Sequence, residues 1–164
     1  MSLVVPTELE TEIDRLISCY PEKRSASVMV LHAIQNHFGC ISADGILWSA
    51  AKLGLQPIHI LELVTFYPMF RQSPVGRFHF KICRTLSCAL NGSFQVHDYL
   101  CQRLGLDKEG HGVQTTKDGR FSVEYVECLA SCGTAPAIMV NDDTYEKVTV
   151  EQAGQILAQH GGAN

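Results

Sequence analysis

The sequence predicts a two-part protein of the α+β or α/β class. A helical bundle is expected in residues 1–72, and a small open sheet with helices packed on it in residues 73–164. Two observations lead to this prediction. Apolar residues recur at helical spacing over the first part, whereas apolar and polar residues alternate in several short segments of the second. Between them, residues 71–76 have the composition of a linker.

Four helices are predicted in the first part, over residues 7–20, 25–39, 43–54 and 57–67. Thr7 and Glu10 have the spacing of a capping box, which would satisfy two backbone N–H groups at the start of the first helix. Glycines end the second and third helices, as is common at helix C-termini. Pro57 suits the first position of the fourth, where a missing N–H costs nothing.

The second part is predicted to follow the order β-α-β-β-β-α. Its strands are expected at residues 78–83, 121–125, 137–140 and 145–148, and its first helix at about residues 93–103. Thr149 and Gln152 form a second capping box, which opens the last helix. These elements predict a small open sheet with helices packed on it.

Four of the seven cysteines form two close pairs, Cys83-x4-Cys88 and Cys128-x3-Cys132. Each pair begins at or just after a predicted strand, so neighbouring strands would bring all four sulfurs to one edge of the sheet. Thiolates are soft ligands that favour zinc, Cu(I) or iron–sulfur clusters. From spacing alone a [2Fe–2S] cluster is favoured, four-thiolate zinc stays open, and disulfides are disfavoured in a reducing compartment. Cys19, Cys40 and Cys101 are expected to be buried free thiols.

Composition excludes several other classes of function. A net charge of −4 and a pI near 5.9 offer no basic face for nucleic acid. There is no apolar run of about 18 residues, so no membrane insertion is expected. The N-terminus lacks the features of a secretory signal, and a cytoplasmic location is expected. Neither a G-x-G-x-x-G motif nor a P-loop is present, so electrons would have to reach a cluster from another protein.

Three segments resemble the small [2Fe–2S] subunit of respiratory complex I, the 24-kDa or E subunit family of NADH:quinone oxidoreductase. They are Cys83-x4-Cys88-x3-Gly92, the run Glu127-Cys128-Leu-x-x-Cys132-Gly-x-x-Pro136, and residues 64–70 (VTFYPMF). The resemblance implies a thioredoxin-like [2Fe–2S] ferredoxin domain, with Cys83, Cys88, Cys128 and Cys132 as the four ligands.

The resemblance also implies a place in an oxidoreductase complex. The cluster would exchange electrons with the FMN of a larger NADH-binding flavoprotein subunit, alongside other peripheral-arm subunits of complex I. The complex would hold the chain at the inner membrane from the cytoplasmic side, and the chain would not act on NADH alone. The equivalent subunit of an NAD-reducing hydrogenase or formate dehydrogenase remains an alternative, as does a zinc-stabilised interaction domain without a redox role.

Three further expectations rest on the same resemblance. Ala130 stands where such proteins often have glycine, and this alanine costs little only if its φ is negative. Pro136 resembles the cis-proline of thioredoxin-like folds. Aromatic residues at Phe66, Tyr67 and Phe70 are expected either in the core or at a partner contact.

Overall fold

The computed structural model describes residues 3–162, which divide into two compact units, residues 3–74 and residues 75–162. The first is helical and the second contains a five-stranded sheet with helices, so the predicted mixed fold class is confirmed. Among the described residues, no helix has both the length and the apolar character needed to cross a membrane.

The first unit contains four α-helices and one short 3₁₀ turn. They are α1 (Thr7–Ser18), the 3₁₀ turn (Lys23–Ala26), α2 (Ser27–Phe38), α3 (Ala43–Leu53) and α4 (Pro57–Phe66). The predicted capping box at Thr7 is wrong, because Pro6 occupies the cap position and makes no side-chain cap. The Ser42 hydroxyl does cap α3, accepting the Gly45 N–H at 3.1 Å.

The first unit packs around an apolar core to which all four helices contribute. Ile13, Leu31, Ile34 and Ile60 are almost fully buried in it. Polar contacts then fix the segment after α4, since the buried Gln35 side chain donates to the Met69 carbonyl at 2.9 Å and accepts the Arg71 N–H at 2.8 Å.

The second unit is built on a sheet with the strand order β2-β3-β1-β4-β5. Its elements are β1 (Phe78–Cys83), α5 (Leu86–Leu90), α6 (Ser93–Leu104), β2 (Gln114–Thr115), β3 (Phe121–Val126), β4 (Ile138–Val140), β5 (Asp143–Tyr145) and α7 (Val150–Gln159). A 3₁₀ turn spans Cys132–Thr134. Strands β1 and β3 run parallel, and the other neighbouring strands run antiparallel.

The second unit differs from expectation at three elements. Strand β2 and helix α5 were not predicted, because two and five residues are too few to show a periodicity. Strand β5 begins at Asp143, earlier than the predicted strand at 145–148. The cause is Asn141, whose φ of 55° lets the chain reverse within two residues. The capping box of α7 is confirmed, with Thr149 and Gln152 bonding each other's backbone N–H.

One face of the sheet forms the core of the second unit. Phe80, Ile82 and Val123 are fully buried there, together with Leu100 of α6 and Leu157 of α7. Because β1 and β3 run parallel, their carboxyl ends lie at a common edge of the sheet. The last pair in their register there is Cys83 with Val126.

Entry into β1 requires a residue without a side chain. A Cβ at Gly76 would lie 2.6 Å from the backbone carbonyl carbon of Phe121, in the neighbouring strand. The buried Gly76 N–H also donates to the Ser122 hydroxyl at 2.7 Å. Because strand backbone cannot move aside cheaply, a larger residue would separate β1 from β3.

Candidate metal centre

Parallel pairing of β1 and β3 brings the two cysteine segments to the same edge of the sheet. Cys83 is the last residue of β1, and Cys128 follows the end of β3 by two residues. The Arg84 N–H donates to the Val126 carbonyl at 3.0 Å, which extends the ladder one residue beyond Cys83. The two strands are therefore neighbours, which is the condition for both cysteine segments to emerge at one edge.

The first pair, Cys83 and Cys88, is buried. These side chains are 1% and 2% exposed and pack against Ala137. Cys88 lies within α5, a helix that the sequence did not predict. The two thiols hydrogen-bond to each other, and Cys83 Sγ lies 3.2 Å from the Thr85 hydroxyl oxygen.

The second pair, Cys128 and Cys132, is exposed to solvent. Their sulfur atoms are 3.9 Å apart, and the Ala130 N–H donates to Cys128 Sγ at 3.3 Å. Two sulfurs bound tetrahedrally to one metal ion at about 2.3 Å lie roughly 3.8 Å from each other. The second pair therefore already has the spacing of two ligands on one ion.

The two pairs are close enough to affect each other's ionisation. Burial raises the pKa of Cys83, but hydrogen bonds from the Thr85 hydroxyl and the Leu129 N–H outweigh it, and the pKa falls below its usual value. The pKa of Cys88 is raised, mainly by burial and also by the charges of Cys83 and Cys132. The pKa of Cys132 is raised by its hydrogen bond and charge interaction with Cys128, and to a lesser degree by Cys83.

Two side-chain contacts join the first cysteine segment to the second. The Ser87 hydroxyl donates to the carbonyl oxygen of Cys132 at 2.8 Å. Arg84 donates to the Glu127 carboxylate from both Nε, at 3.0 Å, and Nη2. Neither contact was foreseen from the sequence, although each of the four residues is a ligand candidate or stands next to one.

The second cysteine segment is also held by the connection between β5 and α7. The Lys147 N–H donates to the Thr134 carbonyl at 2.8 Å. The Glu146 carboxylate accepts hydrogen bonds from the Thr134 and Ser131 hydroxyls, which lower its pKa. These contacts make the second cysteine segment an anchored loop despite its exposure.

The backbone near the second pair has two unusual conformations. Ala130 has a φ of 61°, so the condition under which alanine would cost little at this position is not met. A left-handed conformation costs a non-glycine residue about 1–2 kcal/mol. The Ala135–Pro136 bond is cis, as the resemblance to thioredoxin-like folds implied.

The remaining residues singled out in the sequence lie in different environments. Cys101 is fully buried on α6 as expected, and burial raises its pKa to about 11, but Cys19 is exposed and Cys40 half-buried. Phe70 belongs to the core of the first unit, whereas Phe66 is 77% exposed. Within residues 3–162 no three His, Cys, Asp or Glu side chains are arranged to hold a single metal ion.

Known proteins similar to this chain share its sequence over most of its length. The family described as "Thioredoxin-like [2Fe-2S] ferredoxin" matches residues 13–161. NADH-quinone oxidoreductase subunit 2 of Thermus thermophilus is 41% identical over 140 residues, covering 84% of this chain and 75% of that protein. The NADH-quinone oxidoreductase E subunit of Aquifex aeolicus is 34% identical over 155 residues, covering 94% of each.

Among solved structures, an NAD+-reducing [NiFe]-hydrogenase in the air-oxidized state aligns with a TM-score of 0.66 and 20% identity. The alignment covers 79% of this chain and 22% of the hydrogenase chain, and it shows a shared fold. The extent of the sequence match and the two cysteine pairs agree on one assignment. The chain belongs to the thioredoxin-like [2Fe-2S] ferredoxin family.

Proposed function

We propose that this chain is the electron-transfer subunit of an NADH:quinone oxidoreductase and holds one [2Fe–2S] cluster. Its four ligands would be Cys83, Cys88, Cys128 and Cys132. The observation that carries the proposal is the meeting of two thiol pairs at one sheet edge, in a chain whose family is named for such a cluster.

The residues present fit a cluster of this kind. Four thiolates suit a soft metal centre, and a two-iron cluster takes two of them at each iron. Hydrogen bonds to sulfur, such as that from the Ala130 N–H to Cys128, tune the potential of an iron–sulfur centre. When bound, the cluster would supply one-electron transfer, and the protein would supply its position and surroundings.

The surroundings of the two cysteine pairs differ, and this difference indicates the side from which a redox partner approaches the cluster. The first pair is buried against Ala137, which excludes water from that side. The second pair is exposed, so a redox partner could approach it closely. We place the FMN of the partner flavoprotein on the side of Cys128 and Cys132.

The partner would supply both the FMN and the NADH site. The chain shows no nucleotide-binding motif, and both relatives reported above are named as subunits of NADH-quinone oxidoreductases. We propose that the chain is a peripheral-arm subunit of complex I at the cytoplasmic face of the inner membrane, and its similarity to those subunits supports this setting. The hydrogenase neighbour shares only the fold at 20% identity, so the sequence relatives favour the quinone oxidoreductase.

The cluster is tested by metal analysis of the anaerobically purified chain. Two iron and two sulfide per chain are expected, with a coloured, reducible protein. Cys83→Ser and Cys132→Ser should lose or strongly alter the visible spectrum, whereas Cys19→Ser and Cys101→Ser should keep it. Stoichiometric zinc in a colourless protein would instead establish the zinc-stabilised alternative.

The electron route is tested with NADH and the flavoprotein partner. The isolated chain should not oxidise NADH, and adding the partner should reduce the cluster. Robust NADH oxidation by the flavin-free chain alone would contradict the proposal.

We also propose that Phe66 contributes to the partner contact. Its side chain is 77% exposed at the end of α4 and meets the Tyr67 ring edge-on at a centroid distance of 5.0 Å. Phe66→Ala should weaken binding of the flavoprotein without loss of the cluster. Ile58→Ala, at a 54% exposed position on the same helix, is the matched control and should bind normally. Equal binding by both variants would place the interface elsewhere.

A further inference from the structure

We propose that Ser87 is a positioning residue whose hydroxyl sets the distance between the two cysteine pairs. It would do so through its hydrogen bond to the Cys132 carbonyl, which is 2.8 Å long. This inference rests on the proposed function, because the distance between the two cysteine pairs matters only if they bind one cluster. The contact itself joins the residue immediately before Cys88 to Cys132, so it spans directly from one pair to the other.

The spacing between the pairs needs a determinant of its own. Strand β1 and helix α5 fix Cys83 relative to Cys88, and the turn around Ala130 holds Cys128 and Cys132 at 3.9 Å. The β1–β3 register fixes only the bases of the two segments, since it ends at Cys83 and Val126. Beyond that point, the Leu129 N–H reaches Cys83, and the separation of Cys88 from Cys132 depends on contacts between α5 and the second cysteine segment.

The ion pair between Arg84 and Glu127 is a weaker candidate for this role. The two side chains are 55% and 65% exposed, and exposed ion pairs contribute about 0–1 kcal/mol. They also lie beside the Arg84–Val126 backbone hydrogen bond, which already fixes the separation there. The ion pair therefore repeats a constraint that the sheet imposes.

The contacts of Glu146 and Lys147 act on other residues of the second segment than the Ser87 hydroxyl does. They tie Ser131 and Thr134 to the connection before α7 and do not reach the first pair. The 3₁₀ turn Cys132–Thr134 is thus held both by Ser87 and by this connection. Removing the Ser87 hydroxyl removes the hydrogen bond between α5 and the Cys132 carbonyl, while the contacts to the connection before α7 remain.

Ser87 is itself well placed to act as a fixed point. It lies in α5, half-buried, and its carbonyl accepts hydrogen bonds from the Asn91 side chain at 2.7 Å and the Asn91 N–H at 3.2 Å. A hydroxyl on an anchored backbone loses little further freedom when it bonds, so the contact can hold the loop before any metal binds.

The experiment compares three full-length variants with the wild-type chain. Ser87→Ala removes the hydroxyl and Ser87→Thr restores one. Ser18→Ala is the matched control, because the Ser18 hydroxyl also donates to a main-chain carbonyl, that of Arg15 at 2.7 Å, but on α1. Hydrogen exchange of the amides of residues 131–134 is measured in the metal-free protein. Iron release to a chelator and the electron paramagnetic resonance spectrum are measured in the loaded, reduced protein.

Ser87→Ala is expected to speed exchange at residues 131–134 and iron release by about three- to tenfold each, the range for loss of one hydrogen bond. The electron paramagnetic resonance spectrum should shift, because the spacing of the cysteine pairs changes. The far-UV circular dichroism should stay the same, because the fold does not change. Ser87→Thr and Ser18→Ala should match the wild type in all three measurements.

Two results would overturn the inference: unchanged exchange and spectrum in Ser87→Ala, or a Ser87→Thr variant as altered as Ser87→Ala. The first, in a wild-type chain that carries iron and sulfide, would leave the proposed function standing. If the wild type carries no cluster but Ser87→Ala alone speeds exchange, the spacing role is supported and the proposed function fails.

Discussion

Replacing Ala130 by glycine is expected to stabilise the metal-free protein. Ala130 has a φ of 61°, a left-handed conformation that costs a non-glycine residue about 1–2 kcal/mol. Glycine removes that cost but gains freedom in the unfolded chain worth about 0.4–1 kcal/mol. The difference is a net stabilisation of about 0–1.6 kcal/mol, with a midpoint near 0.8 kcal/mol. Ala130 is exposed and its N–H bond to Cys128 needs no side chain, so packing adds nothing further.

The assay is urea unfolding of the metal-free chain followed by far-UV circular dichroism. Trp48 is the single tryptophan of the sequence and lies in the first unit, so its fluorescence reports that unit separately. Ala158→Gly is the matched control, because Ala158 is half-buried in α7, where glycine costs about 0.5–1 kcal/mol. The same substitution should thus change stability in opposite directions at the two positions.

The reasoning is refuted if Ala130→Gly destabilises the chain as much as Ala158→Gly does. That result would mean that Ala130 bears no left-handed strain in solution. A loss of stability smaller than that of the control, but still a loss, would show that unfolded-state freedom outweighs the strain.

Three further predictions test other parts of the fold. Gly76→Ala should destabilise the second unit by about 1–3 kcal/mol in urea unfolding, because its Cβ meets the backbone of Phe121; an unchanged midpoint would contradict this. Lys52→Met should cost the first unit up to about 1 kcal/mol at pH 7, through loss of the ion pairs with Glu10 and a second carboxylate of α1. Those carboxylates raise the pKa of Lys52 in the folded protein. The difference in stability between the wild type and Lys52→Met should therefore be complete below the pKa that Lys52 has in the unfolded chain, and it should vanish as pH rises through its pKa in the folded protein. Cys101, with a pKa of about 11, should resist alkylation at pH 8.5 until the protein unfolds, and rapid labelling of the folded chain would show that this thiol is accessible.

The parts of the fold that were predicted correctly are those with a repeating pattern or a defined cap. The alternation of Phe78, Phe80 and Ile82 predicted β1, and Thr149 with Gln152 predicted the start of α7. The errors arose where one residue decided the local backbone. Pro6 displaced Thr7 from the cap of α1, and a left-handed Asn141 moved the start of β5.

The candidate site was predictable as a set of residue types but not as an arrangement. Cysteine spacing identified the two pairs, and the strand pattern placed them at one edge. Burial of the first pair and exposure of the second depend on tertiary packing, which spacing does not encode. The Ser87 hydroxyl could not be foreseen either, because a serine next to a cysteine has many possible partners until the loops are in place.

The parallel register of β1 and β3 makes the bases of the two cysteine segments independent of the chain between the two pairs. The chain leaves the sheet after β1 and returns to it at β3. These two positions are fixed because residues 78–83 pair with residues 121–126. Residues added at the turn near Gly110, which lies outside both strands, would leave that register unchanged. Loop length is therefore free to vary in an engineered chain, while two strands of six residues keep the register that places Cys83 and the start of the second cysteine segment.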